Sequence, residues 1–266
     1  MAANEKLPSL QIGQPDGAYN ALMNIYLSFD EKSERQNGKI IIKALTDAVR
    51  MAVPIIEENM GRVMIVSEKG IIAAFSRSTV DAVISAVSIC QKSQPYREIY
   101  KGIRISVGIG YGKIYMSFMS CGNLNTIVAV SDTLEVIRRL STYCAASDAS
   151  IIITDTAVGH VQGFGERFGS RKLGIMFNNR ENREHIIYDV YDGDSTEKKY
   201  SKRRSRLMFE TGVDHFLQNR ILQARTCFIE LLRYDRSDKM AKEYILKCDR
   251  VLSGAELQSQ KYLEVW

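Results

Sequence analysis

The chain has 266 residues, 45% of them hydrophobic and 25% charged, enough for one generous domain or a domain with an appendage and unlike a disordered chain. Its formal charge of +5 is mild, and six basic residues crowd into 198–206, which leaves the rest close to neutral and unlike a nucleic-acid-binding surface. The first residues lack the apolar stretch of a signal peptide, and no apolar run approaches the ~20 residues that cross a bilayer, which argues against direct membrane insertion.

Residues 1–19, with Pro8, Pro15 and Gly17, read as an irregular lead-in, and residues 22–29 as a first strand. Residues 38–59 carry apolar side chains at Ile42, Leu45, Val49, Val53 and Ile56, the spacing of an amphipathic helix, with Pro54 expected to kink it. Two apolar runs, 62–66 and 71–75, flank a short glycine-containing turn and predict a hairpin. Thr79 is placed to cap a second helix with Val80, Val83, Ile84 and Val87 on one face. A strand follows over 103–112, with 113–119 as its continuing partner, then a strand over 126–130 and a helix over 132–146. Residues 150–154 and 185–191 close the series as strands. The order is a split βαββαβ, a ferredoxin-like α+β sheet with its helices expected on one face. From about residue 200 the pattern is helical to 252, with a boundary between Asp192 and Lys202 and an extension over 253–266.

The dispersed residues carry little chemistry. Cys90, Cys121, Cys144, Cys227 and Cys248 form no CxxC pair and read as the reduced, buried thiols of a cytoplasmic protein. His160, His185 and His215 are scattered. Gly108, Gly110 and Gly112 fit a strand that another backbone approaches closely better than a phosphate loop. Asp30, Glu31 and Glu34 read as a solvated loop rather than a metal site.

Three blocks in order resemble the class III adenylate/guanylate cyclase domain. They are GRVMIVSEKGIIAAF at 61–75, ISVGIGYG at 105–112 and VAVSDTLEVIRRL at 128–140, and the resemblance spans about 20–192. It implies a head-to-tail dimer whose site holds two divalent metals on two aspartates. Carried over residue by residue, the first aspartate position falls on Ile25, or on Asn24 with a one-residue shift, and the second on Lys69, preceded by Glu68. The base-selecting position falls on Ile65, its strand partner near Val128, and the ribose-orienting asparagine on Glu135. Only Arg139 retains the family's residue type, an arginine that stabilises phosphate charge.

The resemblance therefore implies a catalytically inactive cyclase-homology domain, acting as a regulatory or dimerisation module in cyclic-nucleotide-type signalling. No metal or cofactor is expected. The partner would be a second copy or another cyclase-type domain. The alternative is a divergent nucleotidyl cyclase that converts ATP or GTP with Mg²⁺ or Mn²⁺ on unrecognised ligands. The helical region, with Phe209, Gly212, Phe216, Ala224, Phe228 and Leu232, resembles a tetratricopeptide-type helix pair, and a protein partner on it is the third reading.

Overall fold

The computed structural model describes residues 11–12, 16–29, 38–100, 103–121 and 123–265. Its first elements are β1 (Gln11–Ile12), β2 (Asp16–Phe29), α1 (Gly38–Glu58), β3 (Arg62–Ser67), β4 (Gly70–Phe75), α2 (Thr79–Lys92) and α3 (Tyr96–Ile99). The middle of the chain forms β5 (Ile103–Cys121), β6 (Leu124–Val130), α4 (Asp132–Ser147), β7 (Ile151–Thr154), α5 (Asp155–Val158), α6 (Phe164–Arg167), β8 (Ser170–Asn178) and β9 (Arg183–Val190). A short 3₁₀ turn (Tyr191–Gly193) leads into α7 (Thr196–Leu217), α8 (Ile221–Tyr234), α9 (Lys239–Leu252) and α10 (Leu257–Gln260).

The described strands join in one nine-stranded sheet of order β3-β4-β2-β5-β7-β9-β8, with β1 and β6 also paired to β5. Among the described strand pairs only β5 with β7 is parallel, so the sheet is mixed. β5 runs on through residues 113–119, and its hairpin partner is β6. Those residues are thus more of one strand, where the sequence reading expected a second. β2 starts at Asp16, six residues before the expected strand and inside the expected lead-in, because β5 is long enough to pair with it from Ile103 to Met116.

Side-chain alternation along β2 sorts the two faces. Ala21, Met23, Ile25 and Leu27 pack under α1 and α2, whereas Leu22 joins Ile72, Ala74, Ile114, Leu134 and Ile137 on the other side. The buried stripe of α1 is Ala44, Ala48, Ala52, Ile55 and Ile56, rotated from the expected one, and Ile42 is exposed. Pro54 does not end this helix, because it lies on the solvent side, where water can satisfy the backbone group it orphans.

Helices cover both faces, not one. α4 lies across β2 and β5 on the second face. Glycines permit this close approach: a Cβ at Gly108 would stand 2.2 Å from the Ile137 carbonyl oxygen, and one at Gly112 2.0 Å from Thr133 Oγ1. One flank of α4, Leu134 and Ile137, faces the hairpin β3–β4. Its other flank, Val136, Leu140, Tyr143 and Cys144, packs into a cluster with Ile152, Leu173, Met176 and Ile187 of the sheet.

That same cluster holds Phe209, Phe216, Phe228, Met240 and Tyr244 of α7–α9, and Leu263 and Val265 of the last segment. The helical region therefore shares a core with the sheet, and the boundary between Asp192 and Lys202 separates segments of chain but not cores. The extension is likewise ordered against the body, since Leu263 N–H donates to the Ile175 carbonyl at 2.8 Å. Phe228 stacks on Tyr244 with ring centroids 4.8 Å apart and meets Phe209 edge-on at 5.6 Å.

The basic stretch at 198–206 is the opening of α7, and much of it is turned inward. Lys202 is buried and contacts Asp189 at 2.8 Å and Asp194 at 2.6 Å, while Lys198 and Lys199 pair with Asp148 and Asp192. Arg171 of β8, 1% exposed, reaches Asp189 at 3.3 Å and Asp238 at 2.5 Å and lies over the Phe209 ring. Burial opposes the charge on both Arg171 and Lys202, but the carboxylates in contact outweigh it and hold both pKa values above the ordinary ones. Asp238 also accepts from Ala241 N–H as the N-cap of α9, so one network ties sheet, α7 and α9 together.

Candidate functional site

A cleft of about 300 Å³ opens on the second face between the β3–β4 hairpin and α4. Its floor is a row of cross-strand neighbours. Ile65 of β3 pairs with Ile72 of β4, which pairs with Asn24 of β2, which pairs with Gly108 of β5. A β-bulge between Val63 and Ile65 sets the first of these. Val63 packs towards α1 and α2; strict alternation would send Ile65 the same way, and the bulge turns it onto the cleft side instead. Arg138, Arg139 and Thr142 of α4 form one wall, and Ser67, Lys69 and Tyr26 surround the mouth.

The structure gathers Ile65, Lys69, Arg139 and Asn24, the shifted alternative to Ile25, at this cleft and leaves Ile25, Val128 and Glu135 elsewhere. Ile25 is a correction: its side chain is fully buried under α1 and α2, so the β2 residue that looks into the cleft is Asn24. Asn24 is 6% exposed and donates through Nδ2 to Ser141 Oγ at 2.6 Å. Val128 sits on β6 opposite Ser117, out on the β5–β6 hairpin. Glu135 is engaged by Arg180 at 2.5 Å and does not line the cleft. Arg139 is held from behind, where Nε donates to the Val265 carbonyl at 2.7 Å and Nη1 to the Phe177 carbonyl at 3.4 Å. It clamps the last segment of the chain against the body while its charge remains beside the cleft.

The donor set does not fit a pair of divalent metals. Among the described residues, an amide, an ammonium and two guanidinium groups line the cleft, and no carboxylate does. No group of three metal-ligating side chains is present among the described residues. Asp30, Glu31 and Glu34 lie outside the described residues. Tyr26, Ser67, Ile72, Arg138 and Thr142 line the cleft without having been singled out by the sequence; the signal for Arg138 is its place next to Arg139 on a helix that has an apolar stripe on each flank.

A second, more polar cavity of about 400 Å³ lies at the far end of α4, lined by Tyr111, Lys113, Thr133, Arg183 and His185 among others. His185 is buried between Asp155 at 3.1 Å and Glu181 at 2.9 Å. Burial opposes its charge, but the hydrogen bonds to the two carboxylates outweigh that and hold its pKa above the ordinary 6.5. His160 stacks on Tyr111 at 3.6 Å, and His215 lies in α7. Cys90, Cys144 and Cys248 are buried thiols, with Cys144 pushed up to about 12 chiefly by burial, while Cys121 and Cys227 are half-buried. No helix among the described residues is long and apolar enough to cross a membrane.

No protein-family model matches the chain. It is 22% identical over 247 residues, 89% of its length, to the terminal-differentiation specific adenylate cyclase of Dictyostelium discoideum, and spans 10% of that protein. Among solved structures, a bacterial light-regulated adenylyl cyclase superposes with a TM-score of 0.59 at 13% identity, covering 72% of this chain and 57% of that one. The adenylate/guanylate cyclase/hydrolase of Silicibacter pomeroyi gives 0.53 at 17%, over 66% and 98% of the two chains. Adenylyl cyclase CyaB of P. aeruginosa gives 0.53 at 15%, over 66% and 95%. The chain thus has the α/β fold of cyclase domains, followed by a helical C-terminal region.

Proposed function

We propose that this chain is a cyclase-homology module that forms no cyclic nucleotide and acts by association in signalling. What supports the reading is the polarity of the cleft: Asn24 and Lys69 line it, and the motif resemblance aligns them with the positions where a metal-dependent cyclase carries carboxylates. An ammonium there repels the dications that would neutralise a triphosphate. The association surface is the β5–β6 hairpin, which leaves Tyr115, Phe118 and Val130 45%, 52% and 62% exposed. A neighbour in fold is described as a non-canonical dimeric guanylyl cyclase domain, and a second copy of this chain, or another cyclase-type domain, would cover the hairpin here. The exposed Leu222, Leu246 and Tyr234 support a third reading, a protein partner on the tetratricopeptide-like helical region.

The test is conversion of ATP or GTP with Mn²⁺ by the purified chain. No turnover is expected. Asn24→Asp with Lys69→Asp should regain cation binding without regaining turnover, because Ile65 offers no hydrogen bond to a base and Glu135 is engaged elsewhere. Turnover by the unmodified chain would establish the rival reading, a divergent nucleotidyl cyclase, for which the relationship to the Dictyostelium enzyme speaks. Association is read from the solution mass; a monomer at tens of micromolar would rule out the homodimer and leave the heterodimer to a pull-down with a cyclase domain.

A further inference from the structure

The cleft combines features that a merely eroded site need not have. Three cations, Lys69, Arg138 and Arg139, line it together, and no carboxylate lines it among the described residues. Arg139 is bonded to two neutral carbonyl oxygens and forms no ion pair among the described residues. Lys69 and Arg138 are exposed and form no ion pair among the described residues. The nearest acid on the helix, Glu135, is taken by Arg180. Below these cations the floor is apolar, made of Ile65 and Ile72, with Tyr26 beside them and the Asn24 amide set among them. A volume of about 300 Å³ lies at the small end of the range for small-molecule pockets. Clustered cations above an apolar floor recognise an anion that carries a hydrophobic body.

We propose that the cleft binds a small organic phosphate without divalent metal, the phosphate against Lys69 and Arg138 and the carbon body on Ile65 and Ile72. This rests on the reading that the cleft does not hold catalytic metals, and it assigns the cleft a ligand. The electrostatics give the proposal a direction opposite to that of a carboxylate-lined site. Mg²⁺ bound to the phosphates cancels the charge that Lys69 and Arg138 attract, so added Mg²⁺ must weaken binding.

The experiment is calorimetric titration of the full chain with ADP, pyrophosphate and adenosine, each in excess EDTA and again in excess Mg²⁺. ADP is expected to bind in EDTA, at least tenfold more tightly than either pyrophosphate or adenosine, and more weakly with Mg²⁺. Lys69→Glu with Arg138→Glu should reduce ADP affinity at least tenfold. Lys69→Gln with Arg138→Gln should reduce it less, and serves if the charge-reversed chain has an altered circular dichroism spectrum. No ADP binding in EDTA, binding strengthened by Mg²⁺, adenosine or pyrophosphate bound as tightly as ADP, or indifference to both double variants would each overturn the proposal. Cyclic nucleotide formation is measured on the same samples with Mn²⁺. Its appearance defeats the inactive reading, whereas an inert chain that ignores ADP in EDTA defeats this inference alone.

Discussion

Two groups of basic residues, on opposite flanks of α4, meet contrasting surroundings. Arg171 and Lys202 are buried at the junction of sheet and helices, and Asp189, Asp194 and Asp238 lie within ion-pair distance of them. Lys69 and Arg138 stand at the mouth of the cleft with no such carboxylate among the described residues. A cation enclosed by carboxylates and cut off from water is part of the architecture, because removing its partners strands a charge in low dielectric. A cation with water on one side and apolar floor on the other costs the fold little and remains available to a ligand. The difference lies in what the sheet and helices bring within reach, since the residue types are the same.

The largest expected effect tests the first half of that contrast. Arg171→Met removes the guanidinium that Asp189 and Asp238 share, and should destabilise the protein by about 3–5 kcal/mol in urea unfolding. A loss under about 1 kcal/mol would show that the network is dispensable. Phe228→Ala empties the centre of the shared core and should cost about 3–4 kcal/mol. Because that core belongs to the sheet and the helices together, the variant should unfold in one transition by both near- and far-ultraviolet circular dichroism. Two separated transitions would mean that the helical region is an independent unit after all.

Smaller effects sharpen the contrast at its edges. Arg139→Ala releases the Val265 carbonyl and should cost about 1.5 kcal/mol, with faster amide exchange confined chiefly to residues 262–265. Unchanged exchange there would remove the clamp from the account. The smallest effect concerns His185. Its folded pKa lies above 6.5, so the stability from its contacts with Asp155 and Glu181 is fully present below that pH and is lost as pH rises through the folded value. Hydrogen bonding to His185 in turn holds Asp155 below its ordinary carboxyl range against the burial that raises it, so that group's share is present above pH 3.8 and lost below. Wild type should therefore exceed His185→Gln in stability most around pH 5–6 and converge with it at alkaline pH. A gap that stays constant from pH 5 to 9 would contradict this.

Much of the body was legible because its signals are local. The β3–β4 hairpin, the two amphipathic helices after β2 and β4, the strand at Ile151–Thr154 and the cyclase-type order of elements follow from apolar periodicity, turn residues and three motif blocks. β8 was not legible: its run contains Arg171 and Lys172, and a buried guanidinium fits a strand only once Asp189 and Asp238 neutralise it from elsewhere in the chain.

The sequence by itself grouped Ile65, Lys69 and Arg139 and offered Ile25 or Asn24 beside them, because motif spacing fixes register to within one residue. It could not decide between Ile25 and Asn24, since a one-residue shift exchanges the two faces of a sheet, and only the packing of Ile25 under α1 and α2 chose. Nor could it place Ile65 on the cleft side, which takes a bulge, or separate paired from available cations, which takes carboxylates brought from β9 and α9. Periodicity is a property of neighbours along the chain. Whether a charge is compensated is a property of neighbours in space, and those the tertiary structure alone supplies.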